Sequence, residues 1–178
     1  MASFARGTPV LVAAVLCCNG LAQVCYGQPE KMGCGPPNDE HRVHKQNVRD
    51  FVREPSQGKA GIYVMRPIIR VALLQVGTRP AGLLARQTKT GVDGKWVGVN
   101  LPGTYFYFEA DPGIVRLCST GARPSVVLLS VKAGERHYLL ERNPVGGEQA
   151  VVEVTEELGK KYLKKCKLST FELKRPGK

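Results

Sequence analysis

From Lys59 onward the chain divides into short apolar or alternating runs, and Gly, Pro and Asp interrupt it at intervals of about 8–12 residues. A run of that length is too short for a typical buried helix, and as a strand it can hide its apolar side chains only by folding back on its neighbours. The runs are 60–66, 68–76, 83–90, 95–100, 104–109, 114–119, 125–131, 136–141 and 149–154. Within 91–94, Asp93 followed by Gly94 supplies the positive-φ pair of a tight hairpin. A second hairpin is predicted across 132–135, between 125–131 and 136–141. These signals predict an all-β domain, an antiparallel β-sandwich of about seven or eight strands.

One strand is aromatic: Tyr105, Phe106, Tyr107 and Phe108 follow one another. Successive side chains of a strand point to opposite faces. One pair is therefore expected in the core and the other against a neighbouring element. The same alternation argues against a base-stacking platform, because two of the four rings must turn away from it.

The end of the chain changes period. Leu158, Tyr162, Leu163 and Cys166 fall at helical spacing, while Glu156 and Glu157 precede Lys160 and Lys161 by four residues. One short amphipathic helix is predicted, packed on the edge of the sandwich. Residues 169–178 read as a basic tail. Ahead of the domain, 23–58 form a polar leader containing Gly33, Gly35, Pro36, Pro37 and Pro55, without the periodicity for a core element of its own. The β-domain with its helix is assigned to 59–168, and a chain of 178 residues suits one such core.

The first 22 residues have the layout of a signal peptide. Arg6 precedes an apolar stretch over 9–18, and the small residues Gly20 and Ala22 follow. Cleavage is expected after Ala22, with Gly27 as the alternative. The stretch falls short of the roughly twenty residues that span a bilayer, and no later run reaches that length, so no transmembrane segment is expected after cleavage. Lipid anchoring is the less favoured route to the membrane: Cys17 follows Leu16 and Cys25 follows Val24, where lipoprotein processing requires a small residue. The expected location is periplasmic or secreted.

Export changes how the cysteines are read, because an oxidising compartment favours disulfides over free thiols. Cleavage after Ala22 leaves Cys25, Cys34, Cys118 and Cys166, and four cysteines allow three pairings that sequence does not rank. A Cys34 to Cys118 bridge would close a long loop and stabilise by about 4 kcal/mol on the chain-entropy model.

Candidate chemistry is sparse. Cys34, Asp39, His41 and His44 crowd together, but a single Cys in a Pro-containing segment lacks the paired-ligand spacing of a zinc site, so no metal or cofactor is predicted. No Gly-x-Ser-x-Gly elbow is present, and His137 lies in a predicted strand with no carboxylate at fixed spacing to orient it. Cys118, with Arg116 two residues away, reads as a disulfide partner rather than a nucleophile. Glu109 and Asp111 flank a turn like ordinary surface acids, and no phosphate-cradling loop occurs. No catalytic residue is assigned and the chain is read as a non-enzyme.

Lys and Arg outnumber Asp and Glu by 26 to 15, a net +11 that attracts nucleic acid, anionic lipid or acidic polysaccharide. Export argues against nucleic acid. The surface-binding candidates are Lys160, Lys161, Lys164, Lys165 and Lys167 on and after the helix.

Several phrases then stand together in order: 58–64 opening the domain, 92–98 around Asp93-Gly94, Gly103-Thr104-Tyr105-Phe106, Asp111-Pro112-Gly113, Leu117-Cys118 and 131–134. With Cys34-Gly35-Pro36 ahead of the domain, the set resembles the bacterial family catalogued as domain of unknown function 2846. The resemblance covers about residues 58–168. It implies a small exported or lipoprotein-type β-sandwich domain of the bacterial envelope. The family has no assigned activity, and many members carry a lipidation Cys that this chain lacks. The function expected is structural or interaction work with an envelope protein or glycan. The alternatives are anionic-surface binding through the lysines and an uncharacterised hydrolase.

Overall fold

The structure is a computed structural model that describes residues 34–49, 52–68, 87–120, 124–142 and 151–174. The expected signal peptide, Cys25 and most of the run 68–76 lie outside these residues. The described chain is mostly β, with one short helix.

Two sheets account for all ten described strands. The larger contains β1 (His41–Lys45), β10 (Lys167–Leu173), β5 (Thr104–Ala110), β2 (Ala60–Arg66), β8 (Arg136–Glu141) and β9 (Val151–Val154), in that spatial order. The smaller contains β4 (Lys95–Asn100), β3 (Thr88–Val92), β6 (Gly113–Ser119) and β7 (Ser125–Val131). Neither sheet closes into a barrel.

β2 is the centre of the larger sheet and is buried at every position. Its alternation divides two cores. Ala60, Ile62 and Val64 join Phe106 and Leu139 of the same sheet and Val115, Leu117, Leu129 and Val131 of the other in one apolar cluster. Tyr63 and Met65 turn the opposite way, to Tyr105, Tyr138, Leu163 and Cys166. The aromatic strand sorts as its period requires: Phe106 and Phe108 face the cluster shared by the sheets, and Tyr105 and Tyr107 face the second one.

The helix α1 (Glu156–Leu163) covers that tyrosine face. Thr155 caps it by accepting from the Leu158 N–H, and Glu156 and Glu157 occupy its first turn, where the helix dipole favours negative charge. Gly159 is required by close approach, since a Cβ there would overlap the Tyr138 ring.

The expected hairpin at 91–94 forms with its turn narrowed to Asp93 and Gly94, at φ 49° and 77°. Other expectations need correction. The arrangement is not purely antiparallel, because β2 pairs with β8 and β5 with β10 in parallel. Residues 132–135 do not close a hairpin: β7 pairs with β6, β8 pairs with β2 and β9, and the turn carries the chain from one sheet to the other. The backbone explains this, as Gly134 N–H donates to Lys59 O and Glu135 O accepts from Gly61 N–H, anchoring the turn to the start of β2. There are also more strands than the seven or eight expected. β1 arises within the polar leader and β10 continues into the basic tail, and they pair with each other from His41↔Leu173 to Lys45↔Ser169. Ladder hydrogen bonds, which leave no apolar pattern, define both.

Candidate functional site

The leader follows the domain in three places. Cys34 is bonded to Cys118 on the face of β6 turned away from the shared core, and the bridge is buried with Trp96 and Val126. Close contact sets the neighbouring sequence: a Cβ at Gly91 would overlap the Cys34 backbone and one at Gly35 the Trp96 ring. Trp96 Nε1 donates to Pro36 O at 3.0 Å, and Lys89 Nζ donates to Asp39 O while lying over the Trp96 ring. The chain then runs along β10 as β1. Beyond it, Arg53 N–H donates to Tyr63 Oη at 2.6 Å, and Tyr63 O–H donates back to Arg53 O, on the tyrosine face. The leader is thus a belt from the outer face of the small sheet to the far face of the large one.

The bridge is one of the three pairings left open by sequence. Cys166, another disulfide candidate, is corrected: it is a free thiol buried beside α1, and burial pushes it up to about 12. Such a thiol is protonated at neutral pH and unreactive. Cys118 is equally removed as a nucleophile, because its sulfur is already bonded.

The most unusual polar group is Glu141, the last residue of β8. It is buried, and its carboxylate accepts from Thr90 Oγ1 at 3.0 Å, Asn100 Nδ2 at 3.1 Å and Ser119 Oγ at 3.4 Å. Asn100 Nδ2 also donates to Val64 O, and Asn100 Oδ1 lies 3.0 Å from Thr104 Oγ1 and 3.3 Å from Ser169 Oγ. Arg66, also buried, adds its positive charge. Burial pushes the Glu141 carboxyl up to about 7, against the pull of its hydrogen-bond donors and Arg66. Both sheets contribute: Glu141 and Arg66 from the larger, Thr90, Asn100 and Ser119 from the smaller. Arg66, Asn100, Ser119 and Glu141 are the last residues of their strands, and Thr90 is the middle residue of β3. A carboxyl poised near neutrality can exchange a proton, but this one is enclosed and held by three donors, the geometry of a clamp between sheets. Sequence reasoning passed over it. The available signal was the alternation of β8, which puts Glu141 on the same inward face as Leu139.

His137 has partners that spacing alone did not reveal. Its Nδ1 lies 2.7 Å from Glu153 Oε1, supplied by the adjacent β9, and its Nε2 lies 3.3 Å from Glu135 Oε2. Carboxylates therefore do orient this ring. Among the described residues no hydroxyl or thiol is hydrogen-bonded to it, so a nucleophile–base pair is not assembled. The leader histidines separate on β1. His41 is buried against Trp96 and Phe171, and burial lowers its pKa. His44 is exposed, 3.3 Å from Glu172. Among the described residues no three ligand-type side chains gather as a metal would require.

Lys160, Lys161, Lys164 and Lys165 are exposed on and just after α1, and Lys167 is half-buried at the start of β10. Lys160 is paired with Glu156 at 2.9 Å.

No family model and no solved structure matches this chain. Among the described residues no helix is long and apolar enough to cross a membrane.

Proposed function

We infer that this chain is an exported, non-enzymatic β-sandwich domain of the bacterial envelope, acting as a structural or interaction module. The two sheets are read as the layers of the sandwich, with the leader belted around them. The observation that carries this reading is the buried Cys34–Cys118 bridge. A bond across 84 residues that fastens the leader to the fold belongs to an oxidising compartment. The non-enzymatic part is supported by the side chains themselves: Cys34 and Cys118 bonded to each other, Cys166 buried and protonated, and His137 held between carboxylates. The resemblance to domain of unknown function 2846 belongs to the same proposal.

Fractionation followed by intact-mass measurement with and without thiol alkylation tests it. The expected product is a processed chain outside the cytosol, with Cys34 and Cys118 protected from alkylation until reductant is added. An unprocessed cytosolic chain with all its cysteines open to alkylation refutes the reading.

A second reading is favoured by the exposure of Lys160, Lys161, Lys164 and Lys165 on one part of the surface. It makes them a contact for an anionic surface or glycan. Reversing those four charges is expected to abolish salt-dependent binding to anionic vesicles, and unchanged binding removes this reading.

A further inference from the structure

We propose that β7 is a docking strand that takes an extended, acidic segment of another protein as a fifth strand of the small sheet. This deepens the interaction-module reading above and rests on it.

β7 is the terminal strand of its sheet. β6 occupies one side, and among the described residues no strand occupies the other. Free strand edges are templates for pairing, and β proteins protect them with charges, short length, Pro or bulges. The other three edges carry such protection. β1 reads His-Arg-Val-His-Lys, β4 begins at Lys95 and joins β3 through a register shift at Thr90/Gly91, and β9 is four residues long with a Glu. β7 reads Ser-Val-Val-Leu-Leu-Ser-Val: seven residues with no charge and no Pro, in unbroken register with β6.

The outward face beside this edge shows the partner's chemistry. Leu128 is 67% exposed and Ile114 69%, and they are diagonal neighbours because Leu128 pairs with Arg116 while Ile114 pairs with Ser130. Arg116 is exposed in the same row and has no ion-pair partner among the described residues, and the exposed Lys132, 3.8 Å from Glu135 Oε1, follows the end of the strand. A strand laid along β7 would gain main-chain hydrogen bonds from the edge. Every second side chain would lie on this outward face, one of them beside Leu128, and carboxylates two residues to either side of that one would meet Arg116 or Lys132. A second copy of this chain fits poorly. It brings the same basic row and a net +11 to the interface.

The test uses the purified full exported chain with its disulfide intact. The probes are two capped heptapeptides, Thr-Glu-Thr-Val-Thr-Glu-Thr and the same sequence with Lys in place of Glu, which put the Val and the charges two residues either side of it on one face, read by anisotropy and by amide hydrogen exchange across 125–131. The acidic peptide is expected to slow exchange in β7 and the basic one is not. Arg116→Glu is expected to weaken the acidic peptide about tenfold, as loss of one charge-assisted contact does, with Arg116→Gln intermediate. Three results overturn the proposal: no protection by either peptide, equal binding of both, or β7 protection that rises with protein concentration alone. The assay does not depend on location, so its failure leaves export standing, and a cytosolic chain would refute export without changing it.

Discussion

At the residue scale, the molecule's least ordinary choice is an acid enclosed between its sheets. Glu141 is the group whose protonation the fold feels most. With its carboxyl raised from an ordinary 4.5 to about 7, the folded chain holds a proton in that window that the unfolded chain releases. The stabilisation is complete below the unfolded value and is lost as pH rises through about 7. Glu141→Gln is expected to remove this dependence, so that denaturant titrations of the two proteins diverge between about pH 4.5 and 7, by up to about 3 kcal/mol. Parallel curves would show that the carboxyl ionises freely in the fold. A second residue works through shape. Gly159→Ala places a methyl group in the Tyr138 ring, and overpacking of this kind costs about 1–3 kcal/mol, visible as a lower thermal midpoint with little change in β-sheet circular dichroism.

At the scale of elements, the belt and the tyrosine face depend on pieces that are distant in sequence. Replacing Cys34 and Cys118 together by Ser is expected to cost about 4 kcal/mol through the entropy of the unfolded chain. The effect should vanish when wild type is compared under reducing conditions. What was legible in the sequence follows the same division. β2, β5 and β6 were visible because both faces or one face carry an apolar rhythm, and Asp93-Gly94 announced its turn through backbone chemistry. β1 and β10 were not, because Arg42, His44, Thr170 and Glu172 mark them as polar surface, and it is the ladder between them, with that of β10 to β5, that makes them strands. The sheet change at 132–135 was hidden too: its composition is that of a hairpin, and the deciding bonds go to Lys59 and Gly61, over seventy residues earlier. The Glu141 clamp was invisible for a related reason. Its five side chains come from five strands, and no spacing along the chain encodes that meeting.

For the whole molecule, burial predicts where stability is concentrated. β2 is covered on both faces and paired on both sides, so its amides should exchange only through global unfolding. Those of β1, an edge strand with exposed polar side chains, should exchange through local fraying, orders of magnitude faster. Hydrogen exchange followed by mass spectrometry resolves the two, and equal rates would mean that the belt and the central strand open as one unit. The connectivity also bears on when the fold can exist at all. β2 emerges early from the ribosome, yet one of its neighbours ends at Glu141, and the first described strand finds its mate only at 167–173. A nascent chain therefore cannot complete the larger sheet until residues 167–173 have been made, a delay that suits the export proposed above.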